Sequence, residues 1–258
     1  MCRSKEEHCM TRNVYLFGTC VIDLFMPQAG LDAVRVLEAA GITVHYPHGQ
    51  SCCGQPAWSS GNPDEARAVA RAQLDLFPEL WPVIVPSGSC AGMMRKHWPA
   101  LFRNDAVLGP QAQALAERVY EFAEYLTCVP GWQMPAGAPV AGTEEVVLHT
   151  SCSARREMGT RTHGVALLDA LPGVTRVEHE RESECCGFGG SFSIKHADIS
   201  GAMVKDKIAS VRATGCRRVV SADCACLLNI GHAAQHQGAP LDVEHLASFL
   251  WRRMGAPS

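Results

Sequence analysis

The chain has 258 residues, a formal net charge of −3, and neither a basic stripe nor a run of like charges. This charge balance argues against nucleic acid or an anionic membrane as the main partner. A hydrophobic content of 47% with 19% charged residues is typical of a folded globular protein. No run of residues approaches the ~20 apolar positions that a membrane-spanning helix needs.

The chain contains thirteen cysteines, a number that bears on the cellular compartment. Secreted proteins use cysteines as disulfides mainly in small domains that lack an adequate core. Here the chain is long enough for a core and the cysteine count is odd. The early apolar run at 14–22 is interrupted by Gly18 and followed by Asp23, which is not typical of a secretory signal. We therefore expect a cytoplasmic protein whose reduced thiols are available as metal ligands.

The first half of the chain alternates short apolar runs with helical patterns. Each apolar run is typical of a strand buried in a parallel sheet. The predicted strands cover 13–20, 42–46 and 83–86, and the predicted helices cover 31–37, 64–77 and 119–126. In turn, the strands lead to Cys20, to the vicinal pair Cys52-Cys53 followed by Gly54, and to Cys90.

The second half repeats this order of elements and cysteines. Its predicted strands cover 145–152, 174–178 and 218–221, and its helices cover 165–171, 196–213 and 243–250. They lead to Cys152, to the pair Cys185-Cys186 followed by Gly187, and to Cys224 with Cys226. Cys20 and Cys152 are 132 residues apart, Cys52 and Cys185 are 133 apart, and Cys90 and Cys224 are 134 apart. Three such separations indicate an internal duplication.

We predict an α/β fold of two similar domains, each a small parallel sheet flanked by helices. The predicted domains span 13–130 and 144–254, and the segment between them is rich in proline and glycine. In parallel sheets, ligands gather at the carboxyl ends of the strands. Because the cysteines of each domain follow strand ends, we expect them to converge at one edge of the sheet.

Converging thiolates can hold several kinds of group. Structural zinc sites usually take pairs of cysteines separated by two to four residues, and the candidate ligands here form no such pair. A vicinal pair is awkward on one tetrahedral ion but can serve two irons of a cluster. Gly54 and Gly187 suit a backbone that approaches the cofactor closely and donates amide hydrogens to sulfur. The chemistry thus favours iron–sulfur over zinc, and zinc over thiol–disulfide exchange.

The Cys-Cys-Gly boxes at 52–54 and 185–187, with the single cysteines around them, together resemble the cysteine-rich CCG domain. This domain is found in heterodisulfide reductase, in the iron–sulfur subunit of glycolate oxidase and in anaerobic glycerol-3-phosphate dehydrogenase. Over residues 13–250, the amino-acid sequence is similar to that of the lactate utilization protein A group. The phrases that carry this likeness are Cys-Cys-Gly-Gln-Pro-Ala at 52–57, Pro-Ser-Gly-Ser-Cys at 86–90, His-Thr-Ser-Cys at 149–152, Cys-Cys-Gly-Phe-Gly-Gly at 185–190 and Ala-Asp-Cys-Ala-Cys at 222–226.

The resemblance implies an electron-transfer subunit of a cytoplasmic complex that oxidises L-lactate to pyruvate. The implied partners are a ferredoxin-type iron–sulfur subunit and a further small subunit. The resemblance also implies one iron–sulfur cluster per repeat, of the 4Fe-4S type, cubane or non-cubane, held by nine cysteines. These ligands are Cys20, Cys52, Cys53, Cys90, Cys152, Cys185, Cys186, Cys224 and Cys226. The heterodisulfide reductase pattern has a fifth cysteine where this chain has Met93, so a four-thiolate cluster, or an incomplete one, is expected in the first repeat.

Two other functions are compatible with these residues. One is a redox subunit whose cluster acts directly on substrate, with the extra thiol of the second box as the candidate group. The other is a scaffold stabilised by zinc.

Among the remaining residues, Cys128 and Cys216 have no counterpart in the other repeat and are expected to fill the core. We expect His149, whose counterpart is Phe17, to be a hydrogen-bonded neighbour of the site rather than a ligand.

Overall fold

The computed structural model describes residue 8 and residues 10–129 and 142–255. Cys2, Cys9 and most of the predicted proline- and glycine-rich linker lie outside the described residues. The boundary between the two predicted domains falls in that linker.

The first repeat alternates strands with helices, as predicted. Its strands are β1 (Asn13–Leu16), β2 (Thr43–His45), β3 (Val83–Val85) and β4 (Val119–Glu121). Its helices are α1 (Cys20–Phe25), α2 (Pro27–Ala39), α3 (Gln55–Ser59), α4 (Pro63–Leu74), α5 (Gly88–Gly92), α6 (Trp98–Phe102), α7 (Leu108–Ala116) and α8 (Phe122–Cys128). A π-helical segment, Met93–His97, joins α5 to α6.

The second repeat has the same order of strands. They are β5 (Glu144–Leu148), β6 (Val174–Arg176), β7 (Arg218–Ser221) and β8 (Asp242–His245). Its helices are α9 (Arg161–Asp169), α10 (Phe192–Lys195), α11 (Ala197–Ala213), α12 (Cys224–His236) and α13 (Leu246–Arg253). A π-helical segment, Ala154–Met158, lies between β5 and α9.

Each repeat forms a four-stranded parallel sheet, with strand orders β2-β1-β3-β4 and β6-β5-β7-β8. The predicted α/β architecture is therefore confirmed. In each sheet the second strand pairs on one side of the first strand, and the third strand pairs on its other side. The carboxyl ends of β1 and β3, and of β5 and β7, therefore flank the crevice where such sheets bind ligands.

The fourth strand of each sheet was missed by the sequence prediction, which assigned 119–126 and 243–250 to helices throughout. In the structure, β4 pairs with β3, and β8 pairs with β7. The helix starts only after Glu121 or His245, whose side chain accepts hydrogen bonds from the first helical amides. A short strand that runs directly into a helix offers no turn signal, so the sequence pattern does not separate the two elements.

The two repeats are interlocked around one shared core. Alternate residues of the central strands face opposite sides, so that Val14 and Leu16 enter the shared core while Tyr15 and Phe17 enter a core whose buried residues all belong to the first repeat. The closing helix α13 packs against α2 of the first repeat, and the closing helix α8 packs against α9 of the second. The two closing helices are thus exchanged between the repeats. Burying a large side chain such as Phe249 in the shared core contributes about 1.5–3 kcal/mol.

Polar contacts also cross between the repeats near the strand ends. The Asp223 Oδ1 atom accepts hydrogen bonds at 3.0 Å from the Ser87 hydroxyl and the Ser89 amide, and so caps α5 from the other repeat. The Nε2 atom of His245 lies 3.0 Å from the Pro86 carbonyl and 3.1 Å from the Ala222 carbonyl. Two carbonyl partners require Nε2 to carry the proton. These contacts fix the start of α5 relative to the second sheet.

Substituting alanine for Gly88 is expected to destabilise the repeat interface. A Cβ atom at Gly88 would lie 2.4 Å from the Cβ of Ala154, in the π-helical segment of the other repeat. Overpacking of this kind costs about 1–3 kcal/mol. Gly201→Ala is the matched control, because a Cβ there meets nothing within 4 Å, and alanine in an exposed helix is favoured by about 0.5–1 kcal/mol. Thermal unfolding checks both; a Gly88→Ala midpoint at or above that of the wild type would contradict the close approach.

Candidate metal centre

Cysteines at the ends of the central strands lie in the first turns of short helices. Cys20 is the first residue of α1, whose N-cap Thr19 has a φ of 55° and accepts a hydrogen bond from the Ile22 amide. Cys90 lies in α5, and its amide donates to the hydroxyl of the N-cap residue Ser87. The strands therefore end before the cysteines, and helix N-termini hold them at the sheet edge.

The Cys-Cys-Gly boxes have the same local geometry in both repeats. Gly54 and Gly187 have φ angles of 86° and 87°, in the left-handed region. Their amides donate to the sulfurs of Cys52 and Cys185 at 3.4 and 3.3 Å. A Cβ atom would lie 3.0 Å from a backbone oxygen at Gly54 and 2.7 Å from one at Gly187, so both positions require glycine.

Side chains of helical residues hold the box backbones in place. The Trp98 indole donates to the Cys53 carbonyl at 2.9 Å, and the Asn229 amide donates to the Cys186 carbonyl at 2.8 Å. The same support thus comes from different residue types in the two repeats.

The sulfurs of each repeat form a chain of contacts. In the first repeat, the Sγ atoms of Cys20 and Cys52 are 3.6 Å apart, and those of Cys53 and Cys90 are 3.3 Å apart. In the second repeat, the side chains of Cys152 and Cys185 are hydrogen-bonded, as are those of Cys186 and Cys226. Two equivalent quartets result: Cys20, Cys52, Cys53 and Cys90 in the first repeat, and Cys152, Cys185, Cys186 and Cys226 in the second.

One sulfur of each quartet is a stabilised thiolate. Hydrogen bonds from Cys20 and Cys53 lower the pKa of Cys52 to about 3. Hydrogen bonds from Cys152 and Cys186 lower the pKa of Cys185 to about 2. Thiolates are the form in which cysteine binds metals. The anion therefore lies on the first cysteine of each vicinal pair, where the glycine amide also points.

Both quartets border one cavity of about 170 Å³ between the repeats. All nine cysteines predicted as ligands contribute to its wall. Cys20, Cys52, Cys152 and Cys185 are half-buried, whereas the other five are buried. The convergence expected within each repeat thus extends across the pair of repeats.

Strand register corrects the pairing of Cys90. By sequence separation its counterpart is Cys224. In the sheets, Leu16 pairs with Ile84 and Leu148 pairs with Val220. Cys90 and Cys226 each lie six residues beyond the second member of these pairs. The insertion that shifts the register therefore falls before β7, and Cys226, not Cys224, completes the second quartet.

Cys224 has a different environment. It is buried against Ile22 and Ala29 of the first repeat and also borders the cavity. Burial raises its pKa, and the charges of Asp223 and Cys90 raise it further. The position equivalent to Cys224 in the first repeat is Gly88.

His149 is a site residue whose surroundings differ from the sequence expectation. It lies at the end of β5 and is only 2% exposed. Neither ring nitrogen has a hydrogen-bond partner among the described residues. Burial and the charge of Lys207 lower its pKa to about 3, so the ring is neutral. The expected position beside the site is confirmed, whereas the expected hydrogen bond is absent among the described residues. The only sequence signal was a histidine three residues before a predicted ligand cysteine.

Other cysteines lie away from the cavity. Cys216 is buried in a core of the second repeat, and its thiol donates to the Glu145 and Arg218 carbonyls at 3.3 and 3.5 Å. Its predicted core position is confirmed. Cys128, at the end of α8, takes part in a disulfide bond.

Over the described ranges, every helix is too short or too polar to cross a membrane.

Comparisons with known proteins agree with the cysteine pattern. A family model described as a cysteine-rich domain, CCG, matches residues 14–95 and 146–231. Lactate utilization protein A of Macrococcus caseolyticus (strain JCSC5402) is 37% identical over 237 residues, covering 92% of this chain and 95% of that protein. The Bacillus subtilis (strain 168) protein of the same name is 38% identical over 237 residues, covering 92% and 98%.

Among solved structures, a hypothetical protein from Helicobacter pylori matches with a TM-score of 0.66 at 9% identity. The match covers 96% of this chain and 50% of that one, and at this identity it shows the fold alone. The family match covers both repeats, and the sequence matches extend over nearly the whole chain. The chain therefore belongs to the family of two-repeat CCG cysteine-rich proteins that includes the lactate utilization A proteins.

Proposed function

We propose that the protein is an iron–sulfur electron-transfer subunit of a complex that oxidises L-lactate to pyruvate. The observation that carries the proposal is the cavity bordered by two equivalent cysteine quartets. The names of the relatives support a role in lactate utilization.

Each quartet would hold one cluster. The ligands would be Cys20, Cys52, Cys53 and Cys90 in the first repeat and Cys152, Cys185, Cys186 and Cys226 in the second. Four thiolates are the usual ligand set of a 4Fe-4S cluster. The Gly54 and Gly187 amides, which already donate to ligand sulfurs, would stabilise the negative charge of the bound group. Clusters bound there would accept electrons one at a time and pass them to a partner.

Zinc is the competing occupant. Sulfur separations of 3.3 and 3.6 Å are close to the ~3.8 Å edge of a zinc tetrahedron with ~2.3 Å bonds. A single ion, however, would lie within the quartet and would need no space beside it. The 170 Å³ cavity provides such space for inorganic sulfide and iron. This space, together with the vicinal pairs, favours the cluster.

Electron transfer is favoured over direct action on the substrate. The carboxylate of a 2-hydroxy acid is usually bound by arginine or lysine. Among the described residues that border the cavity, none is an arginine or a lysine. We therefore assign substrate oxidation to another chain of the complex.

The partners that we propose are a ferredoxin-type iron–sulfur subunit and a further small subunit, with the assembly in the cytoplasm. The support for these partners and for this location is the family resemblance.

Anaerobic titration tests this function. The chain and its proposed partner subunits are mixed, L-lactate is added, and the visible absorption and EPR of the clusters are followed. Reduction by L-lactate only when the partner subunits are present is the expected result. Glycolate, added separately, tests the choice of 2-hydroxy acid. If dithionite reduces the clusters but no 2-hydroxy acid does so in the full mixture, the lactate function is wrong.

A further inference from the structure

We propose that His149 is a nitrogen ligand of the second metal centre, so that the two repeats hold their centres with different donor sets. This inference rests on the proposed function in that it assumes a metal centre at the second quartet.

The first observation is the position of the imidazole. A ring nitrogen of His149 lies with the sulfurs of Cys186 and Cys226 in a group whose atoms are all within 4.8 Å of one another. The backbone holds the residue in place, because the His149 amide donates to the Val220 carbonyl at 2.8 Å. The ring thus reaches the two most buried sulfurs of the second quartet from the end of a central strand.

The second observation is the lack of any other partner for the ring. Buried polar side chains are almost always hydrogen-bonded, and each exception requires an explanation. Both His149 nitrogens are such exceptions among the described residues. A neutral imidazole has one nitrogen lone pair free to bind a metal ion. Coordination beside Cys186 and Cys226 would satisfy that nitrogen.

The third observation concerns the other nitrogen. His149 also borders a second, smaller cavity of about 20 Å³, together with Glu121 and Asp223. The Oε1 atom of Glu121 and the Oδ2 atom of Asp223 are likewise buried without a partner among the described residues. A histidine that binds a metal usually donates its other N–H to a carboxylate or a water. This cavity is bordered by two carboxylates and has room for one water molecule.

The first repeat has no histidine at the equivalent position. Phe17 occupies the position equivalent to His149 and packs in the core against Phe77. The first centre would therefore have sulfur ligands only. His149 would add an imidazole to the four thiolates of the second quartet, and in iron–sulfur proteins imidazole ligands change the reduction potential. Two inequivalent centres at one cavity would give electrons a preferred order of transfer.

Pulsed EPR of the reduced, reconstituted full chain tests the proposal. Direct coordination predicts a strong nitrogen hyperfine coupling in the signal of one centre, and the coupling should change when histidine is labelled with ¹⁵N. This labelling requires no variant. His149→Gln should lose the coupling, keep the iron content and shift the potential of one centre only. His149→Phe, which introduces the residue of the first repeat, provides a second variant.

His179→Gln is the matched control. His179 is also buried and has an unpartnered Nε2 among the described residues, but it does not border the cysteine cavity. Its replacement should leave the coupling unchanged. Cluster signals without nitrogen coupling, or a coupling that survives in His149→Gln, would overturn the inference.

A zinc-containing protein would overturn the proposed function and still test the ligand. In that case zinc X-ray absorption of the wild type and of His149→Gln decides. A nitrogen lost from the metal shell in the variant supports His149, whereas a shell of sulfur only overturns it.

Discussion

Cys52→Ser and Cys185→Ser are each expected to remove one of two metal centres and to leave the chain with about half the iron and sulfide of the wild type. Each cysteine is the stabilised thiolate of its quartet and contacts two further cysteines. Each also accepts the glycine amide that follows the vicinal pair. Serine is a poor ligand for iron, so the quartet should no longer hold a cluster. Iron and sulfide analysis after anaerobic reconstitution measures the effect.

Cys216→Ser is the control for this pair. Its thiol is buried in the core and lies away from the cavity, so its replacement should leave the iron content unchanged. Loss of all the iron in either quartet variant would contradict independent centres, and would instead indicate one centre shared by both quartets across the common cavity.

Cys226→Ser and Cys224→Ser are expected to behave differently although the two residues are neighbours in sequence. The register of the sheets makes Cys226 the counterpart of Cys90. Its replacement should therefore remove the second centre, with the loss of about half the iron. Cys224 packs on Ile22 and Ala29 of the other repeat, so its replacement should retain both centres. Iron content and the visible absorption of the two variants check the difference.

The opposite result would support the pairing of Cys90 with Cys224, which the sequence separation gives. If Cys224→Ser lost half the iron and Cys226→Ser lost none, the assignment by strand register would be wrong. Loss of the second centre in both variants would mean that the second repeat uses five thiolates, and the four-thiolate assignment would then fail for that repeat.

The sheet and the convergence of the cysteines follow from local patterns that the sequence displays. Alternating apolar runs and helical periods are sufficient to predict a parallel sheet. In such a sheet, residues that follow the strands must meet at one edge. The chain of contacts from Cys20 through Cys52 and Cys53 to Cys90 forms in this way even though its two ends are seventy residues apart.

The relation between the repeats could not be predicted, because it depends on contacts between distant surfaces. The apolar faces of α2 and α13 are visible as periodic patterns, but nothing in either pattern specifies its partner. The shared cavity, the capping of α5 by Asp223, and the exchange of closing helices all follow from that packing. A duplicated pattern indicates two equivalent units and does not indicate how they face each other.

Two details of the site were also beyond the sequence. Cys224 and Cys226 are two residues apart, so their separations from Cys90 differ too little to decide which one completes the quartet. The strand register decides. The environment of His149 depends on Glu121 of β4 and on Asp223 and Cys226 at the start of α12, two parts of the chain that are far apart in sequence. Such long-range coincidences leave no local signal.

The most direct test is the metal and sulfide content of the wild-type chain after anaerobic purification, with EPR of the oxidised and the dithionite-reduced protein. Iron and acid-labile sulfide sufficient for two clusters, with an EPR signal from each, is the predicted result. Stoichiometric zinc with no inorganic sulfide, even after anaerobic reconstitution with iron and sulfide, would contradict the electron-transfer function and would mean that the cysteine quartets stabilise a scaffold.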